Sequence, residues 1–204
     1  MLFRSYSKPI EQLIRSFGHL PSVGRRTAER FVFYLLKTGK KDTAELTLAL
    51  KNLITNIKSC EICWDFSDQS PCITCADKHR DSSLICVVAE SQDAQAIERT
   101  GSYRGRYHIL RGTLTTDLGI IEQPNIKIKE LMQRIPGTEI KEIVLALNPD
   151  LAGETTMMYL EQNIKEKTPD ITVSRLARGL PMGSDLQYAD EITLSSALKY
   201  RIKS

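Results

Sequence analysis

Residues 60–75 read CEICWDFSDQSPCITC, so that four of the five cysteines in the chain form two Cys-x2-Cys pairs with eight residues between them. Each pair can turn two thiolates toward one point, and two pairs complete the tetrahedral shell of sulfur ligands that Zn²⁺ prefers. The eight-residue insert between the pairs is too short for a helix-containing finger and suits a small ribbon or knuckle with a tight hairpin. The stretch predicts a structural zinc site, closed to water, with these ligands: Cys60, Cys63, Cys72 and Cys75.

Two disulfides, or four unrelated buried thiols, are the alternatives to a metal site. Paired cysteines of this spacing in a chain without a secretory signature are typical of metal binding. The N-terminal stretch MLFRSYSKPIEQLIRSF carries several charges and no small-residue cleavage site. No apolar run approaches the roughly 18 residues that span a bilayer. We therefore expect a soluble, cytoplasmic protein whose thiols stay reduced.

The charge of the chain is unevenly distributed. Its 204 residues carry a formal net charge of +3, with 41% hydrophobic and 26% charged residues, which are globular values. Residues 1–58 contain eleven Lys and Arg and four Asp and Glu, a net charge of +7, whereas the remainder has a net charge of −4. A basic segment on a mildly acidic body favours contact with nucleic acid, although a solvated helical surface explains the charge equally well.

The hydrophobic pattern divides the chain into a helical part and a mixed part. Apolar residues recur at helical spacing over residues 5–17, 25–39 and 42–58, and in the third helix we expect one stripe to face inward: Leu46, Leu50, Leu53, Ile54 and Ile57. After the cysteines, strands at 84–89, 107–110, 143–147 and 171–176 alternate with helices at 91–100, 126–135 and 153–167. This alternation predicts βαβ units and a mostly parallel sheet, followed by a short helix at 191–201.

Between the first two helices, residues 20–28 read LPSVGRRTA and resemble the helix-hairpin-helix motif of DNA-repair proteins. In that motif the backbone N–H groups at the start of the second helix face a DNA phosphate, which positions the protein without reading bases. The resemblance implies DNA binding by Arg25, Arg26 and Arg30. Ser22 stands where the motif usually has glycine. An ordinary packing corner with solvated arginines is the alternative.

Acidic residues follow two of the predicted strands. Glu90 ends the first strand, and the third is followed by NPDLAGE at residues 148–154. Ligands gather at the carboxyl ends of parallel strands. The pattern resembles the Toprim fold of topoisomerases and primases, in which a Glu and an Asp-x-Asp pair serve Mg²⁺ chemistry. Glu90, Asp150 and Glu154 match that pattern, whereas Asn148 replaces the first Asp and Ala152 replaces a Glu.

The change to Asn148 removes one charge from the site, and Mg²⁺ is a hard cation that needs anionic oxygens. We therefore expect a Toprim domain that binds partners and does not cleave DNA, with weak Mg²⁺ binding at most. Acidic loop residues without a site are the alternative for Glu90 and Asp150. A working Mg²⁺-dependent Toprim enzyme, and a protein–protein adaptor, are the rival functions.

The order of these parts resembles the RecR family of bacterial recombination mediators over essentially the whole chain. Supporting segments are ICVVAES at 85–91, ALNPD at 146–150 and RGLPMGSDL at 178–186. The resemblance implies a multi-domain α+β chain with a helix-hairpin-helix bundle at 1–58, a four-cysteine zinc finger at 59–80, an α/β Toprim domain at 81–177, and a C-terminal segment with a short assembly helix at 178–204.

The same resemblance implies a function without catalysis in recombinational DNA repair, near the bacterial nucleoid. RecR-like proteins bind single- and double-stranded DNA without sequence specificity as ring-like oligomers, commonly tetramers. With RecO and RecF they help to load RecA onto single-stranded DNA. On this basis Arg26 and Arg30 line the DNA-facing surface, and the partner-binding Toprim face contains these residues: Glu90, Asn148, Asp150 and Glu154.

Overall fold

The computed structural model describes residues 6–117, 120–122, 125–136 and 139–201. Residues 1–5 and 202–204 of the predicted terminal domains, and Gly137 at the predicted end of the 126–135 helix, lie outside the described residues. The chain divides into two compact units, Met1–Ile57 and Lys58–Ser204, and each is described by itself. Among the described residues, no helix is long and apolar enough to cross a membrane.

The N-terminal unit contains three helices, as predicted: α1 (Lys8–Gly18), α2 (Arg25–Thr38) and α3 (Lys40–Asn56). Gly39 separates α2 from α3 with φ of 97°, a backbone conformation that glycine adopts without steric cost. The core lies between α1 and α2, where Ile14, Ala28 and Val32 are buried. The helices on either side of the predicted hairpin are therefore fixed by their own small core.

The prediction that the apolar stripe of α3 faces inward is wrong. None of the residues of α3 is buried, and Leu53 and Ile54 are 58% and 82% exposed. The remaining stripe residues are also exposed: Leu46, Leu50 and Ile57. The physical reason is that α1 and α2 bury their apolar faces against each other, so that α3 adds no buried residue to this core. The helical period of the sequence identified the apolar stripe of α3 correctly, but it did not indicate whether another part of the chain buries that stripe.

The second unit begins with the cysteine-containing ribbon and continues into an α/β fold. Its elements are β1 (Lys58–Ser59), β2 (Phe66–Ser67), α4 (Ile73–Ala76), β3 (Asp81–Val88), α5 (Ser91–Arg99), β4 (Gly105–Ile109), β5 (Thr115–Asp117), β6 (Ile120–Glu122), α6 (Ile128–Arg134), β7 (Glu142–Leu145), α7 (Leu151–Lys167), β8 (Thr172–Arg175) and α8 (Glu191–Lys199).

The central sheet has the strand order β4-β3-β7-β8, and every neighbouring pair is parallel, which confirms the predicted parallel sheet. Side chains alternate between its faces: Ile85 and Val87 belong to one buried cluster, and Cys86 and Val88 to the other. Because β3 and β7 are neighbours, the segments that follow them lie at the same edge of the sheet.

Two features of this unit differ from the sequence prediction. The predicted strands and helices end within a few residues of the observed bounds, but the antiparallel pair of β5 and β6 was not predicted. Each of these strands has only three residues, too few for a period of two to stand out. A tight hairpin was expected between the cysteine pairs, whereas the antiparallel pair of β1 and β2 encloses the first cysteine pair.

Candidate functional site

The four cysteines form one buried cluster. Their exposed fractions are 0%, 2%, 7% and 5% in chain order, and their sulfur atoms all lie within 4.8 Å of one another. The Sγ atoms of Cys63 and Cys72 are 3.5 Å apart, and both thiols are unbridged. A disulfide requires about 2.05 Å between its sulfurs, so the structure has a four-thiol cluster in place of two disulfides.

Local backbone hydrogen bonds aim the sulfurs at one another. In the first pair, the N–H of Cys60 donates to the carbonyl of Asp65 at 2.8 Å, and the N–H of Trp64 donates back to Cys60 at 3.0 Å. In the second pair, Cys72 stands at the N-cap of α4 and its N–H points to the sulfur of Cys60 at 3.4 Å. Each pair is thus a tight knuckle.

The donor set and its electrostatics fit a divalent soft cation. Tetrahedral Zn²⁺ with four thiolates places its sulfurs about 3.8 Å apart, a separation within the observed limit of 4.8 Å. Hydrogen bonds from Cys63 and Cys75 lower the pKa of the Cys72 thiol, and the same hydrogen bonds, made to Cys72 and Cys75, raise the pKa of the Cys63 thiol. A bound cation would favour the thiolate form of all four cysteines, and the cluster can hold a metal ion.

A positive side chain lies near the sulfur cluster. The guanidinium of Arg134 interacts electrostatically with Cys60, Cys63 and Cys75, and its Nη1 donates to the carbonyl of Tyr107 at 2.7 Å. Burial lowers the pKa of Arg134. This charge partly offsets the negative charge that four thiolates leave on a bound divalent ion.

The cysteine ribbon is attached to the α/β fold by Arg111, a residue that sequence reasoning missed. Its Nε donates to the carbonyl of Trp64 at 2.9 Å, its Nη2 donates to Ser59 Oγ at 2.8 Å, and its guanidinium lies 4.2 Å from the ring centroid of Phe66. The only sequence signal was an Arg-Gly pair directly after a predicted strand, a pattern that is common in loops.

The predicted hairpin joins α1 to α2 through a tight turn. The N–H of Val23 donates to the carbonyl of Leu20 at 3.1 Å, and Ser22 adopts a φ of 64°. This left-handed conformation favours glycine, which explains the usual glycine of the motif at this position. Helix α2 starts at Arg25 after Gly24, with no side-chain cap and no acidic residue in its first turn. Its first N–H groups are therefore available to an anion.

The three hairpin arginines differ in their surroundings. Arg25 binds Glu11 at 3.0 Å and Glu29 at 3.1 Å, and the hydrogen bond to Glu11 raises the pKa of Arg25. Arg26 and Arg30 are exposed, and neither takes part in an ion pair among the described residues. The structure thus leaves the charge of Arg26 and Arg30 directed to solvent, whereas that of Arg25 is already shared with two carboxylates.

The predicted Toprim residues follow the neighbouring strands β3 and β7, and two of them, Asp150 and Glu154, form bonds within the chain. The Asp150 carboxylate accepts the N–H of Gly153 at 2.7 Å and so caps α7. Glu154 forms ion pairs with Arg175, at 3.0 Å, and with Arg178. Among the described residues, the cysteines form the only cluster of three or more acidic, Cys or His side chains close enough to share an ion.

Close packing fixes the loop that carries Asn148. A Cβ atom at Gly153 would lie 1.9 Å from the backbone oxygen of Asn148, so only glycine fits there. Beside this loop is a cavity of about 660 Å³ between the sheet edge and the C-terminal segment. Its lining includes Met157, Arg178 and Ile192. The loop is therefore closely packed at Gly153 and borders a cavity.

Comparison with known proteins covers nearly all of the chain. Residues 83–177 match the Toprim domain family, residues 10–54 match the RecR helix-hairpin-helix family, and residues 179–202 match the RecR C-terminal family. The recombination protein RecR of Bifidobacterium longum subsp. infantis is 42% identical over 197 residues, 97% of each chain. That of Moorella thermoacetica is 42% identical over 196 residues, 96% of this chain and 97% of the relative. That of Mycobacterium sp. (strain KMS) is 40% identical over 200 residues, 96% of this chain and 98% of the relative.

Proposed function

The chain belongs to the RecR family of recombination proteins, and from that premise we propose that it is a non-enzymatic DNA-binding mediator of recombinational repair. In this role it helps to load RecA onto single-stranded DNA together with RecO and RecF. The observation that carries the proposal is the hairpin before α2, where an uncapped helix start stands beside the exposed Arg26 and Arg30.

DNA binding through this hairpin is electrostatic and independent of sequence. A phosphate of single- or double-stranded DNA would accept hydrogen bonds from the first N–H groups of α2, and Arg26 and Arg30 would add positive charge. Arg25 remains a candidate contact, but its bonds to Glu11 and Glu29 reduce the charge that it offers. Contacts of this kind position a protein on the backbone and do not read bases.

Assembly into a ring-like homotetramer would multiply these contacts. The exposed apolar stripe of α3 supports an interface between copies of the chain, since Leu53 and Ile54 are exposed. Ile192 and Leu198 of α8, each 68% exposed, support a second interface in the C-terminal segment. Several basic hairpins on one DNA raise avidity without any new type of contact.

The carboxyl edge of the sheet is the proposed face for RecO and RecF. It presents Glu90, Asn148 and Asp150 as exposed residues, while Glu154 is held by Arg175 and Arg178. A carboxamide at position 148 and a Glu154 charge already balanced by two arginines support binding in place of strand cleavage, with Mg²⁺ binding weak at most. The close packing of the loop against Gly153 supports a preformed surface.

Zinc is the proposed occupant of the four-cysteine cluster, because four sulfur donors within 4.8 Å of one another suit it. The proposed division of labour assigns DNA binding to residues 1–58, the zinc finger to 59–80, partner binding to 81–177 and assembly to 178–204. A bacterial cytoplasm, which keeps thiols reduced, is the proposed location.

A reconstituted loading assay tests the proposal. RecA assembly on single-stranded DNA coated by single-strand-binding protein is followed with RecO, with and without this chain, in Mg²⁺. We expect faster RecA assembly with wild type, a loss of that effect in Arg26→Gln/Arg30→Gln, and intact DNA on a gel. Cleaved or relaxed DNA would establish a working Toprim enzyme, and full activity of the double variant would favour an adaptor.

A further inference from the structure

The four-cysteine ribbon is bonded to the two turns that follow β3 and β4. The hydroxyl of Ser91, the first residue of α5, donates to the carboxylate of Asp65 at 2.5 Å. The N–H of Ile109, the last residue of β4, donates to the carbonyl of Cys63 at 2.8 Å. The guanidinium of Arg111 donates to the carbonyl of the residue after Cys63 at 2.9 Å. The ribbon therefore contacts the carboxyl ends of two neighbouring strands.

The acceptors in these bonds are held in place by the first cysteine knuckle. The carbonyl of Asp65 accepts from Cys60 at 2.8 Å, so Asp65 is part of the same closed turn as the metal ligands. The buried cluster of the ribbon consists of the four cysteines, with Ile62 packed against it. Because so small a ribbon has almost no apolar core, metal binding supplies much of its folding free energy. The positions of the acceptors thus depend on the metal.

The two turns are also bonded to each other. The N–H of Gly112, in the turn after β4, donates to the carbonyl of Ala89, in the turn after β3, at 3.1 Å. Within the turn after β3, the N–H of Glu90 donates to the carboxylate of Asp93 at 2.9 Å. Arg111 adopts a φ of 63°, which is unfavourable for a residue other than glycine and persists only where neighbouring contacts hold it. Those contacts come from the ribbon. Loss of order in the ribbon would therefore loosen both turns.

We infer that metal binding at the four cysteines fixes the conformation of the Glu90 turn, with Asp65 and Arg111 as the positioning residues. The metal site thus stabilises more than the cysteine ribbon, because it also fixes the conformation of the turn after β3 in the Toprim domain. A consequence, which rests on the proposed function, is that partner proteins bind the metal-loaded chain more tightly than the metal-free chain.

Hydrogen exchange of the full-length chain tests this inference, with metal content measured on the same samples. In wild type, chelation of the metal is expected to speed exchange about tenfold for the amides that are hydrogen-bonded at this junction: Glu90, Asp93, Ala94, Leu110 and Gly112. Amides in the middle of α7 serve as the internal reference and stay protected. Unchanged protection at 90–94 after the metal is removed would overturn the inference.

Two variants separate the coupling from general damage. Asp65→Ala removes the acceptor of Ser91. Asp68→Ala is the matched control, since Asp68 is exposed and, among the described residues, its carboxylate accepts a bond from Ser67 alone, at 3.5 Å. We expect Asp65→Ala to keep its metal and still exchange about tenfold faster at 90–94, with Asp68→Ala unchanged. If Asp65→Ala loses its metal, Ser91→Ala serves as the test of the coupling, because it removes the donor of the same hydrogen bond.

The effect of the metal on exchange distinguishes coupling from simple stability. In Ser91→Ala, chelation is expected to change exchange at 90–94 by less than half of its effect in wild type, because the bond from the ribbon to the Glu90 turn is already broken while those to Ile109 and Arg111 remain. An undiminished metal effect in that variant would refute the role of the Asp65–Ser91 bond. If exchange changes as expected but partner proteins bind the metal-loaded and metal-free chains equally well, the coupling between the metal and the Glu90 turn is supported and the proposed partner face is wrong.

Discussion

Replacing Ser22 by glycine should stabilise the N-terminal unit. Ser22 adopts a φ of 64°, and a left-handed backbone costs a residue with a Cβ atom about 1–2 kcal/mol. Glycine removes this cost, but it also raises the conformational entropy of the unfolded chain, which lowers stability by about 0.5–1 kcal/mol. The net gain is about 1 kcal/mol, which corresponds to roughly fivefold slower exchange of core amides.

Hydrogen exchange of α2 is the suitable assay, because the only tryptophan, Trp64, lies in the other unit and does not report on the hairpin. The amide of Ala28, bonded to Gly24 at 3.0 Å, and its neighbours in α2 should become more protected in Ser22→Gly. Ser22→Ala is the control, since alanine keeps the Cβ atom and gains nothing. Equal protection in the glycine and alanine variants would refute the argument from backbone strain.

Two further predictions concern the α/β fold. Gly153→Ala should lower the free energy of unfolding in urea by about 3 kcal/mol, because the added Cβ would overlap the backbone of Asn148. Gly179→Ala is the control and should change it by less than about 0.5 kcal/mol, since no atom lies within 4 Å of a Cβ at that position. Equal effects of the two substitutions would refute the packing argument. His108 is buried, and desolvation lowers its pKa to about 4. Since the unfolded pKa is about 6.5, the unfolded state binds more protons between these values, and stability should fall by about 3 kcal/mol as pH drops through that window. In urea unfolding, the stability of His108→Gln should fall less steeply than that of wild type over the same pH range. An identical dependence of stability on pH in the two proteins would contradict the role of His108.

Local patterns in the sequence predicted the parts of the fold that local physics determines. The spacing of the cysteines was sufficient for the four-thiol cluster, because two residues between ligands leave few ways to turn both sulfurs inward. Runs such as residues 84–89 were sufficient for parallel strands, since strands buried on both faces are apolar without alternation. The neighbouring positions of β3 and β7 then brought the predicted acidic segments to one edge.

Contacts between distant residues could not be predicted in this way. The bonds of Glu154 to Arg175 and Arg178 join residues more than 20 positions apart, so no spacing rule indicates them. Arg111 reaches back about 50 positions to Ser59 for the same reason. The stripe of α3 failed differently: its period was correct, but periodicity does not show which surface, if any, covers an apolar face.

The most direct test of the account is DNA binding by the purified, metal-loaded chain across a salt series. Arg26→Gln/Arg30→Gln is compared with Lys41→Gln/Lys51→Gln, which removes the same charge from exposed positions on α3. We predict that the arginine variant binds single-stranded DNA more weakly and that its slope of log K against log salt is smaller in magnitude by about 1.4, because two phosphate contacts are lost. The lysine variant should bind like wild type. Equal affinities and equal slopes for all three proteins would contradict DNA binding through the hairpin.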